Sequence, residues 1–412
     1  MTGPLSGLRV LDLTRFVSGS YATMVLAGLG ADVVKVESAE GDPYRAQGAS
    51  TKGGDSPLYR SLNTAKRSVV VDFRKEDGRE VMERLLGSSA FFVENSRPGR
   101  LARHGLDYES VHERHPSIVY GSISGYGDVG PDADKGGFDL ILQAETGIMS
   151  VTGTEECGPV KVGAPLLDIG AGMTCVAGLL AAHAERLGTG VGRHVSTSLL
   201  EFSLAGLSTV AAGYLAAGAV PGLLGTHSPS FAPYGGFRTA DGWLVLAGAG
   251  SEDLWRRSCA VLGVERLAAD ERFADNASRL AHRHELTAEL EAALAGRTTA
   301  DWLARFQTAG VPAARVKRID DVLDGPQVSA LGMIQHLETA DRSTAGYDVL
   351  GVPLRFDRAP LELRAPAPLL GEDTADVLEE LGYDPSEMQS LAESGVVAIK
   401  ARRAASATRG ET

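Results

Sequence analysis

Residues 8–37, LRVLDLTRFVSGSYATMVLAGLGADVVKVE, contain the pattern that decides the fold. Apolar and polar residues alternate at its start, as they do in a strand, and residues 14–20 form a polar turn. Residues 21–29 then have the composition of a helix that ends at Gly30, and the valine-rich residues 31–37 predict a second strand. The chain therefore begins with a βαβ unit.

The same alternation of strands and helices continues beyond this unit. Further strands are predicted over residues 68–72, 90–94 and 117–122, and a helix is predicted over residues 77–87. Strands that are almost continuously apolar and that alternate with helices indicate a parallel sheet covered on both faces. We therefore predict an α/β fold.

The character of the sequence changes in the second half of the chain. Residues 170–187 and a segment from Thr197 predict apolar helices, whereas beyond Pro221 short strands alternate with charged helices. We predict three segments, namely residues 1–225 as the first part of a large domain, residues 226–330 as a smaller α/β or α+β domain, and residues 331–412 as a return to the large domain followed by a tail. The tail from Lys400 has little to bury and is expected to fray.

Composition indicates a globular protein and argues against several kinds of partner. The 412 residues are 43% hydrophobic and 23% charged, and 53 acidic residues against 40 Lys and Arg give a net charge of −13. Proteins that bind the phosphate backbone of nucleic acids normally carry a net positive charge, so we expect no nucleic-acid partner. The three Cys residues are far apart and show no metal-ligand spacing, which predicts no metal site and a reducing, cytoplasmic location.

One uncharged stretch raises the question of a membrane. Residues 202–225 carry no formal charge and are long enough to span a bilayer. They are rich in Ala, Gly, Ser and Thr, which contribute little to membrane insertion, and they have no basic flank. We therefore favour a helix in the core or at a subunit interface and predict no membrane association. The N-terminus lacks a basic start followed by an apolar run, so no signal peptide is expected.

The first strand-to-helix turn does not fit a dinucleotide. An NAD fingerprint requires Gly-x-Gly-x-x-Gly here, whereas residues 16–20 contain one glycine, which disfavours a dehydrogenase. Glu37, at the end of the second strand, is either a ribose ligand or a solvated strand end. Basic residues gather near later strand ends, namely Lys66, Arg67, Arg74, Lys75, Arg97, Arg100 and Arg103. Such a cluster is either a solvated face or a site for a phosphate-bearing ligand.

Residues 162–173 hold the sharpest candidate for catalysis. Their one carboxylate, Asp168, stands between an apolar turn and an apolar helix bounded by glycines. An acid at the first turn of a helix is often only an N-cap. The other interpretation is a nucleophile whose ionised form is favoured by the end of the helix. No His-x-x-x-His or Ser-His-Asp pattern is present, which disfavours zinc and serine-hydrolase sites.

A series of short motifs, in order along nearly the whole chain, carries a resemblance to a known family. The motifs are residues 4–13 (PLSGLRVLDL), 30–37 (GADVVKVE), 63–68 (NTAKRS), 93–99 (VENSRPG), 137–139 (GFD), 167–168 (LD), 188–193 (GTGVGR), 233–237 (PYGGF), 310–312 (GVP) and 369–374 (LLGEDT). The chain resembles the class III CoA-transferases, which include the formyl-CoA and carnitine CoA-transferases and are related to the 2-methylacyl-CoA racemases. Because the whole set is colinear, it is far more specific than any one motif.

The resemblance implies an architecture and an activity. It implies a Rossmann-like large domain, a small domain, and two subunits threaded through each other as an interlocked homodimer. It further implies CoA transfer from an acyl-CoA donor to a carboxylic acid, with Asp168 as the nucleophile and a covalent aspartyl-CoA intermediate. Coenzyme A and acyl-CoA are then substrates, and no tightly bound cofactor is expected. Neither the donor nor the acceptor acid follows from the sequence.

The resemblance also implies which residues bind CoA and the acyl group. CoA would contact the first turn, the region around the third strand and the segment after the fourth strand, while a glycine loop would line the acyl end. The implied residues are Val17, Ser18, Val71, Arg74, Asn95, Ser96 and Arg103 for CoA, and Gly136, Phe138 and Asp139 for the acyl end.

Two positions distinguish this chain from relatives of known type. Phe138 stands where the racemases carry a His that serves as one of two acid/base groups, and a phenyl ring cannot move a proton. CoA transfer is therefore favoured, with a 2-methylacyl-CoA racemase as the alternative. The oxalate-using transferases carry Gln and Tyr at the positions of Val17 and Phe138, so this apolar pair favours a larger or mono-anionic acyl group. A non-catalytic CoA-binding scaffold is a third interpretation, against which the retention of Asp168 argues.

Overall fold

The structure is a computed structural model, and it describes residues 3–48, 55–339 and 346–399. The tail from Lys400, which we expected to fray, lies outside the described residues. The strands are β1 (Arg9–Leu13), β2 (Asp32–Glu37), β3 (Arg67–Val70), β4 (Phe91–Glu94), β5 (Val119–Ser124), β6 (Gly153–Thr154), β7 (Gly158–Pro159), β8 (His194–Ser198), β9 (Tyr234–Arg238), β10 (Trp243–Ala247), β11 (Ala313–Arg315), β12 (Ile334–Leu337), β13 (Tyr347–Leu350), β14 (Arg355–Phe356) and β15 (Ala359–Pro360). The α-helices are α1 (Ser18–Gly28), α2 (Pro57–Asn63), α3 (Glu76–Gly87), α4 (Tyr108–Arg114), α5 (Asp139–Glu145), α6 (Leu166–Thr189), α7 (Leu199–Gly206), α8 (Ser208–Ala217), α9 (Glu252–Leu262), α10 (Asn276–Ala281), α11 (Arg283–Leu294), α12 (Thr299–Thr308), α13 (Ile319–Leu323), α14 (Pro326–Leu331), α15 (Thr374–Glu380) and α16 (Pro385–Glu393).

The main sheet has six parallel strands in the order β3-β2-β1-β4-β5-β8. The chain first adds strands on one side of β1 and then returns to add β4 on the other side. This order is that of a doubly wound sheet, in which the strand order reverses between β1 and β4. The predicted α/β fold with a parallel sheet is confirmed.

The sixth strand differs from the sequence prediction. We expected a helix to begin at Thr197, but residues 194–198 form the edge strand β8, and α7 begins only at Leu199. Pairing with β5 supplies the backbone hydrogen bonds that make this short polar segment a strand. Gly192 permits the approach, because a Cβ atom added there would lie 1.8 Å from the carbonyl oxygen of Ile118.

Helices cover both faces of this sheet. On one face, side chains of α3, α15 and α16 join a buried core with the sheet residues Leu11, Val34, Phe92 and Tyr120. On the other face, α6 packs closely on β5, where a Cβ atom at Gly121 would lie 2.9 Å from Leu179. Because adjacent residues of a strand point to opposite faces of the sheet, each face packs against its own layer of helices.

Packing groups the chain into two compact units. The first comprises Met1–Thr146, Val162–Thr209 and Pro326–Thr412, and the second comprises Gly147–Lys161 and Val210–Gly325, in each case for the described residues. The second unit contains the antiparallel sheet β11-β10-β9 and a core that includes Phe237, Trp255 and Phe306. The predicted domain boundaries at residues 225 and 330 stay a prediction.

Two apolar segments meet simple criteria for crossing a bilayer. In the described part of the chain, α6 is long and apolar enough, and α7 with α8 would be a second candidate if this interrupted pair were counted as one span. Core helices of soluble proteins meet the same criteria, and 44% of the apolar window in α6 is buried. Length and composition therefore do not assign a membrane span, and the expectation of no membrane stays a prediction.

Candidate active site

A cavity of about 580 Å³ opens in the first unit at the carboxyl ends of β1 and β4. The turn after β1 and the segment after β4 both contribute to its lining. Ligands of doubly wound sheets bind where the strand order reverses, because the loops that leave the two strands diverge and open a crevice. The position of this cavity is thus a consequence of the strand order.

Asp168 lines the cavity from the first turn of α6. The N-cap of this helix is Pro165, so the interpretation of Asp168 as only an N-cap is wrong. Burial, together with the nearby negative charge of Asp139, raises the pKa of Asp168 to about 7, while a hydrogen bond from Ser18 opposes this shift. Protonated and ionised forms of Asp168 therefore coexist near neutral pH.

Ser18 can reach Asp168 because α1 and α6 cross at a glycine. Gly172 lies one helical turn after Asp168, and a Cβ atom added there would be 2.6 Å from the carbonyl oxygen of Ser18. A larger residue would hold the two helices apart. The close crossing thus brings the first residue of α1 beside the carboxylate of α6.

The turn between β1 and α1 is held in one conformation by neighbouring side chains. The side-chain oxygen of Asn95 accepts a hydrogen bond from the Arg15 N–H at 2.9 Å, and its amide donates to the Arg15 carbonyl at 2.6 Å. Phe16 has a φ of 62°, which is uncommon for a residue other than glycine. Its ring meets that of Tyr44 edge to face, with centroids 5.6 Å apart. Such a backbone conformation persists only where the surroundings enforce it.

Buried charges lie beneath this turn. The ammonium group of Lys66 is 2.9 Å from a carboxylate oxygen of Asp12. That of Lys35 donates to the carbonyl oxygen of Thr14 at 2.7 Å and lies 3.0 Å from a carboxylate oxygen of Asp42. Burial lowers the pKa of Lys66 to about 8, although the charge of Asp12 opposes this. These pairs tie the turn to β1, β2 and the segment before α2.

Glu37 is buried and lines the cavity, so it is not a solvated strand end, whereas contact with a ribose stays a prediction. Its carboxylate accepts hydrogen bonds from the Arg45 guanidinium at 2.6 and 2.8 Å and from the Ser68 hydroxyl at 2.6 Å. The side chain is buried, and its pKa is lowered despite that burial because Arg45 stabilises the charged form. Glu37 therefore belongs to an internal ion pair, and its charge is already balanced.

Arginines line the cavity after β3 and β4. Arg74 is paired with Asp72 at 2.7 Å. Arg97, Arg100 and Arg103 have no carboxylate within ion-pair distance in the described ranges. The same three arginines line an adjoining groove of about 480 Å³. Three guanidinium groups around one concave surface can bind phosphate oxygens.

The glycine loop before α5 forms another wall. Gly136 lies directly against Arg97, because a Cβ atom added there would be 2.6 Å from a guanidinium nitrogen. Phe138 is 63% exposed. The Asp139 carboxylate turns away from the loop toward α6, where one oxygen accepts from two backbone N–H groups, at 2.8 Å from Leu167 and at 3.3 Å from Asp168.

Ten of the eleven predicted site residues line the cavity, namely Val17, Ser18, Arg74, Asn95, Ser96, Arg103, Gly136, Phe138, Asp139 and Asp168. Val71 is not among the lining residues, because its side chain is packed in the core and its backbone pairs with Val397. The catalytic and binding roles of all eleven stay predictions. Phe16 and Tyr44 also line the cavity but were not predicted, because no sequence motif indicates a Phe with left-handed backbone or its aromatic partner. Among the described residues, no three His, Cys, Asp or Glu side chains are grouped as metal ligands.

Comparison with known proteins gives the family. The model of CoA-transferase family III matches residues 5–374. The chain is 37% identical over 387 residues to the succinate–glutarate CoA-transferase of Agrobacterium fabrum (92% of this chain, 96% of that protein) and 35% identical over 397 residues to the succinyl-CoA:glutarate CoA-transferase of Mus musculus (96% and 90%). A crystal structure of a CAIB/BAIF family protein from Brucella suis matches with a TM-score of 0.83 and 36% identity (92% and 100%). The resemblance seen in the motifs is thus confirmed, and the chain belongs to CoA-transferase family III, a family of enzymes.

Proposed function

We propose that this enzyme moves CoA from an acyl-CoA thioester to a carboxylic acid through a covalent thioester between CoA and Asp168. The observation that carries the proposal is a partly buried carboxylate in the same cavity as three arginines that have no carboxylate partner among the described residues. Burial and the charge of Asp139 raise the pKa of this carboxylate to about 7. Relatives that are named as CoA-transferases support CoA transfer in general.

The first half of the reaction loads CoA onto the enzyme. An oxygen of ionised Asp168 attacks the thioester carbonyl carbon, the C–S bond breaks, and CoA leaves as a thiolate beside a mixed anhydride. The thiolate then attacks the aspartyl carbonyl of that anhydride, and the donor acid leaves as a carboxylate. The enzyme now carries CoA as an aspartyl thioester. Each step exchanges one activated acyl bond for another, so no external energy source is needed.

The second half is the same sequence in reverse. The acceptor carboxylate attacks the aspartyl thioester, which gives a new mixed anhydride and free thiolate. The thiolate attacks the acyl carbonyl, so that the new acyl-CoA leaves and Asp168 is restored as a carboxylate. The protein contributes orientation, donors for the oxyanions and exclusion of water. We assign the orientation of Asp168 to the first turn of α6 and to the neighbouring Ser18.

The cavity supplies groups for each part of acyl-CoA. The phosphates would bind Arg97, Arg100 and Arg103, because guanidinium groups form bidentate hydrogen bonds with phosphate oxygens. The thiol arm would lie along the two short segments that follow β1 and β4, represented by Val17, Ser18, Asn95 and Ser96. The acyl group would lie against the glycine loop and the exposed Phe138 ring.

The relatives suggest a class of acid. Two of them are named for succinate or succinyl-CoA and glutarate, so we propose dicarboxylic acids of this size as donor or acceptor.

We further propose a homodimer in the cytoplasm with no tightly bound cofactor. The racemase alternative is not favoured, because Phe138 provides no acid/base group.

Donor-only labelling tests the covalent mechanism. The enzyme is incubated with succinyl-CoA alone, digested and analysed by mass spectrometry. We expect CoA on the peptide that contains Asp168, and conversion of that residue to a hydroxamate by hydroxylamine. The Asp168→Asn variant serves as the control and should remain unlabelled. A wild-type enzyme that transfers CoA to glutarate yet forms no adduct would exclude the aspartyl thioester. Exchange of the donor α-proton with deuterated solvent, without transfer, would favour the racemase.

A further inference from the structure

The helix that carries Asp168 has no cap of its own. The first backbone N–H groups of any helix lack partners within the helix, and a side chain at the N-cap commonly satisfies one of them. In α6 the N-cap is Pro165, whose side chain has no hydrogen-bonding atom. The open N–H groups of Leu167 and Asp168 are taken instead by one carboxylate oxygen of Asp139, at 2.8 and 3.3 Å. The cap is therefore donated by another helix, α5.

Asp139 is itself held from behind. The side-chain amide of Gln143, one turn later in α5, donates to the second oxygen of Asp139 at 2.5 Å. The side-chain oxygen of Gln143 accepts from the backbone N–H of Val162 at 2.8 Å. Gln143 is completely buried. Both oxygens of Asp139 are thus engaged, and the carboxylate is fixed in one orientation at the start of α6.

We infer that Asp139 is a positioning residue for Asp168. Asp139 caps the helix that carries the nucleophile and keeps a fixed negative charge beside it. Gln143 in turn sets the orientation of the Asp139 carboxylate. This inference rests on the proposed function of Asp168. It changes the role that the family resemblance implied for Asp139, which was contact with the acyl end. Here the carboxylate acts through another residue, and Phe138 is the member of that loop with an exposed side chain.

The fixed charge has a chemical consequence. A carboxylate beside another carboxylate holds its proton more tightly, and a more basic carboxylate is a stronger nucleophile once ionised. The titratable groups that face Asp168 are Asp139 on α5 and Tyr44 on the segment after β2, while Ser18 on α1 donates a hydrogen bond to it. Burial and the charges of Asp168, Asp42 and Asp139 raise the pKa of Tyr44, so the phenol is neutral. Within the described ranges, Asp139 is thus the charged group that affects Asp168 at neutral pH.

The variant Asp139→Asn tests the charge. Asparagine keeps one oxygen that can accept from α6 and removes the negative charge, while its NH2 group replaces the oxygen that accepts from Gln143. We expect the ionisation midpoint of Asp168 to fall by about one pH unit. The readout is the carboxyl signal of Asp168 in protein labelled with ¹³C-aspartate, assigned by its absence in Asp168→Asn. The acidic limb of kcat/KM should move to lower pH by the same amount. Midpoints that stay within about 0.3 pH unit of wild type would overturn the inference.

The variant Gln143→Met tests the orientation separately. Methionine has a similar volume but no amide, so the charge of Asp139 remains while its support is lost. We expect kcat to fall about tenfold, since small displacements of a reacting group are costly, while KM for acyl-CoA changes less than about twofold. An unchanged kcat would overturn the role of Gln143. Because this variant keeps Asp139, the inference can be tested even if Asp139→Asn fails to fold.

A matched control and an independent readout complete the design. Glu145→Gln makes the same change of charge at an exposed position of the same helix, where the carboxylate accepts a hydrogen bond from the Tyr126 hydroxyl at 2.8 Å. It should leave both the midpoint and kcat unchanged. The titration of Asp168 requires no turnover. If wild-type enzyme transfers no CoA, the proposed function fails, whereas an unshifted titration in Asp139→Asn contradicts only this inference.

Discussion

At the scale of single residues, the ionisation of Asp168 should set the pH dependence of catalysis. Attack on a thioester requires the carboxylate, and burial together with the charge of Asp139 raises the pKa of Asp168 to about 7. We expect kcat/KM, which reports the free enzyme, to fall about tenfold per pH unit below pH 7 and to level above it. Rates measured with succinyl-CoA and glutarate from pH 5 to about 9 test this. A flat profile down to about pH 5 would show that Asp168 ionises normally.

The same raised pKa has a consequence for stability. A carboxyl group whose pKa is higher in the folded state stabilises the fold fully only below its unfolded pKa, and this contribution is lost as the pH rises through about 7. Asp168→Asn removes the cost of a partly buried charge. The variant should therefore melt at a higher temperature than wild type at pH 8, by about 2–4 °C for each kcal/mol, and the gain should shrink toward pH 5. Thermal unfolding at the two pH values measures it, and equal gains at both would contradict the linkage.

The motifs could predict which residues line the cavity, because the motifs lie at strand ends that a parallel sheet brings together. They could not predict orientation. Asp139 was expected at the acyl end, yet its carboxylate turns to α6 because the N-cap there is a proline. Glu37 was left as a ribose ligand or a solvated acid, yet Arg45 neutralises it inside the protein. Both outcomes depend on a partner side chain that only the tertiary fold supplies.

At the scale of elements, the crossing of α1 and α6 should be sensitive to one methyl group. Gly172→Ala would place a Cβ atom 2.6 Å from the Ser18 carbonyl oxygen, so the helices must separate. We expect a loss of about 1–3 kcal/mol in unfolding free energy and a lower kcat, since Ser18 moves away from Asp168. Gly188→Ala, in the same helix but with no neighbour within 4 Å, is the control and should gain about 0.5–1 kcal/mol. Chemical denaturation and transfer rates compare the two, and similar effects of both changes would remove the crossing from the explanation.

Elements with a strong local pattern could be predicted, and those that depend on pairing could not. The first βαβ unit combines an alternating strand, an apolar helix and a valine-rich strand, and it was recognised from residues 8–37 alone. The strand β8 is short and polar, and it exists because β5 offers an open edge. The helix α16 was also missed, although Asp384 and Glu387 form a capping box around Pro385 that signals its start. Tertiary contact overrides weak local preference in the strand, whereas in the helix the local signal was present.

At the scale of the whole molecule, the apolar surface of α8 calls for a covering partner. No residue of this helix is buried, and Leu215 and, shortly after the helix, Val220 are about 80% exposed. Soluble proteins seldom leave such apolar segments in water. A second copy of the chain is the partner that the resemblance implies, and a lipid bilayer is the competing one, since α7 and α8 together meet the criteria for a span. The two partners predict opposite behaviour in buffer without detergent.

We predict that the purified enzyme sediments at twice the 43.1 kDa mass of the chain, without detergent and without binding to lipid vesicles. Leu215→Asp places a charge where the partner's apolar surface would lie, so it should shift the protein to monomer at micromolar concentration and reduce activity in parallel. Val129→Asp, at a loop position that is also 80% exposed, should do neither. Sedimentation velocity and vesicle flotation separate the outcomes. An active wild-type monomer would exclude the dimer as the reason for the apolar surface, and flotation with vesicles would assign that surface to a membrane.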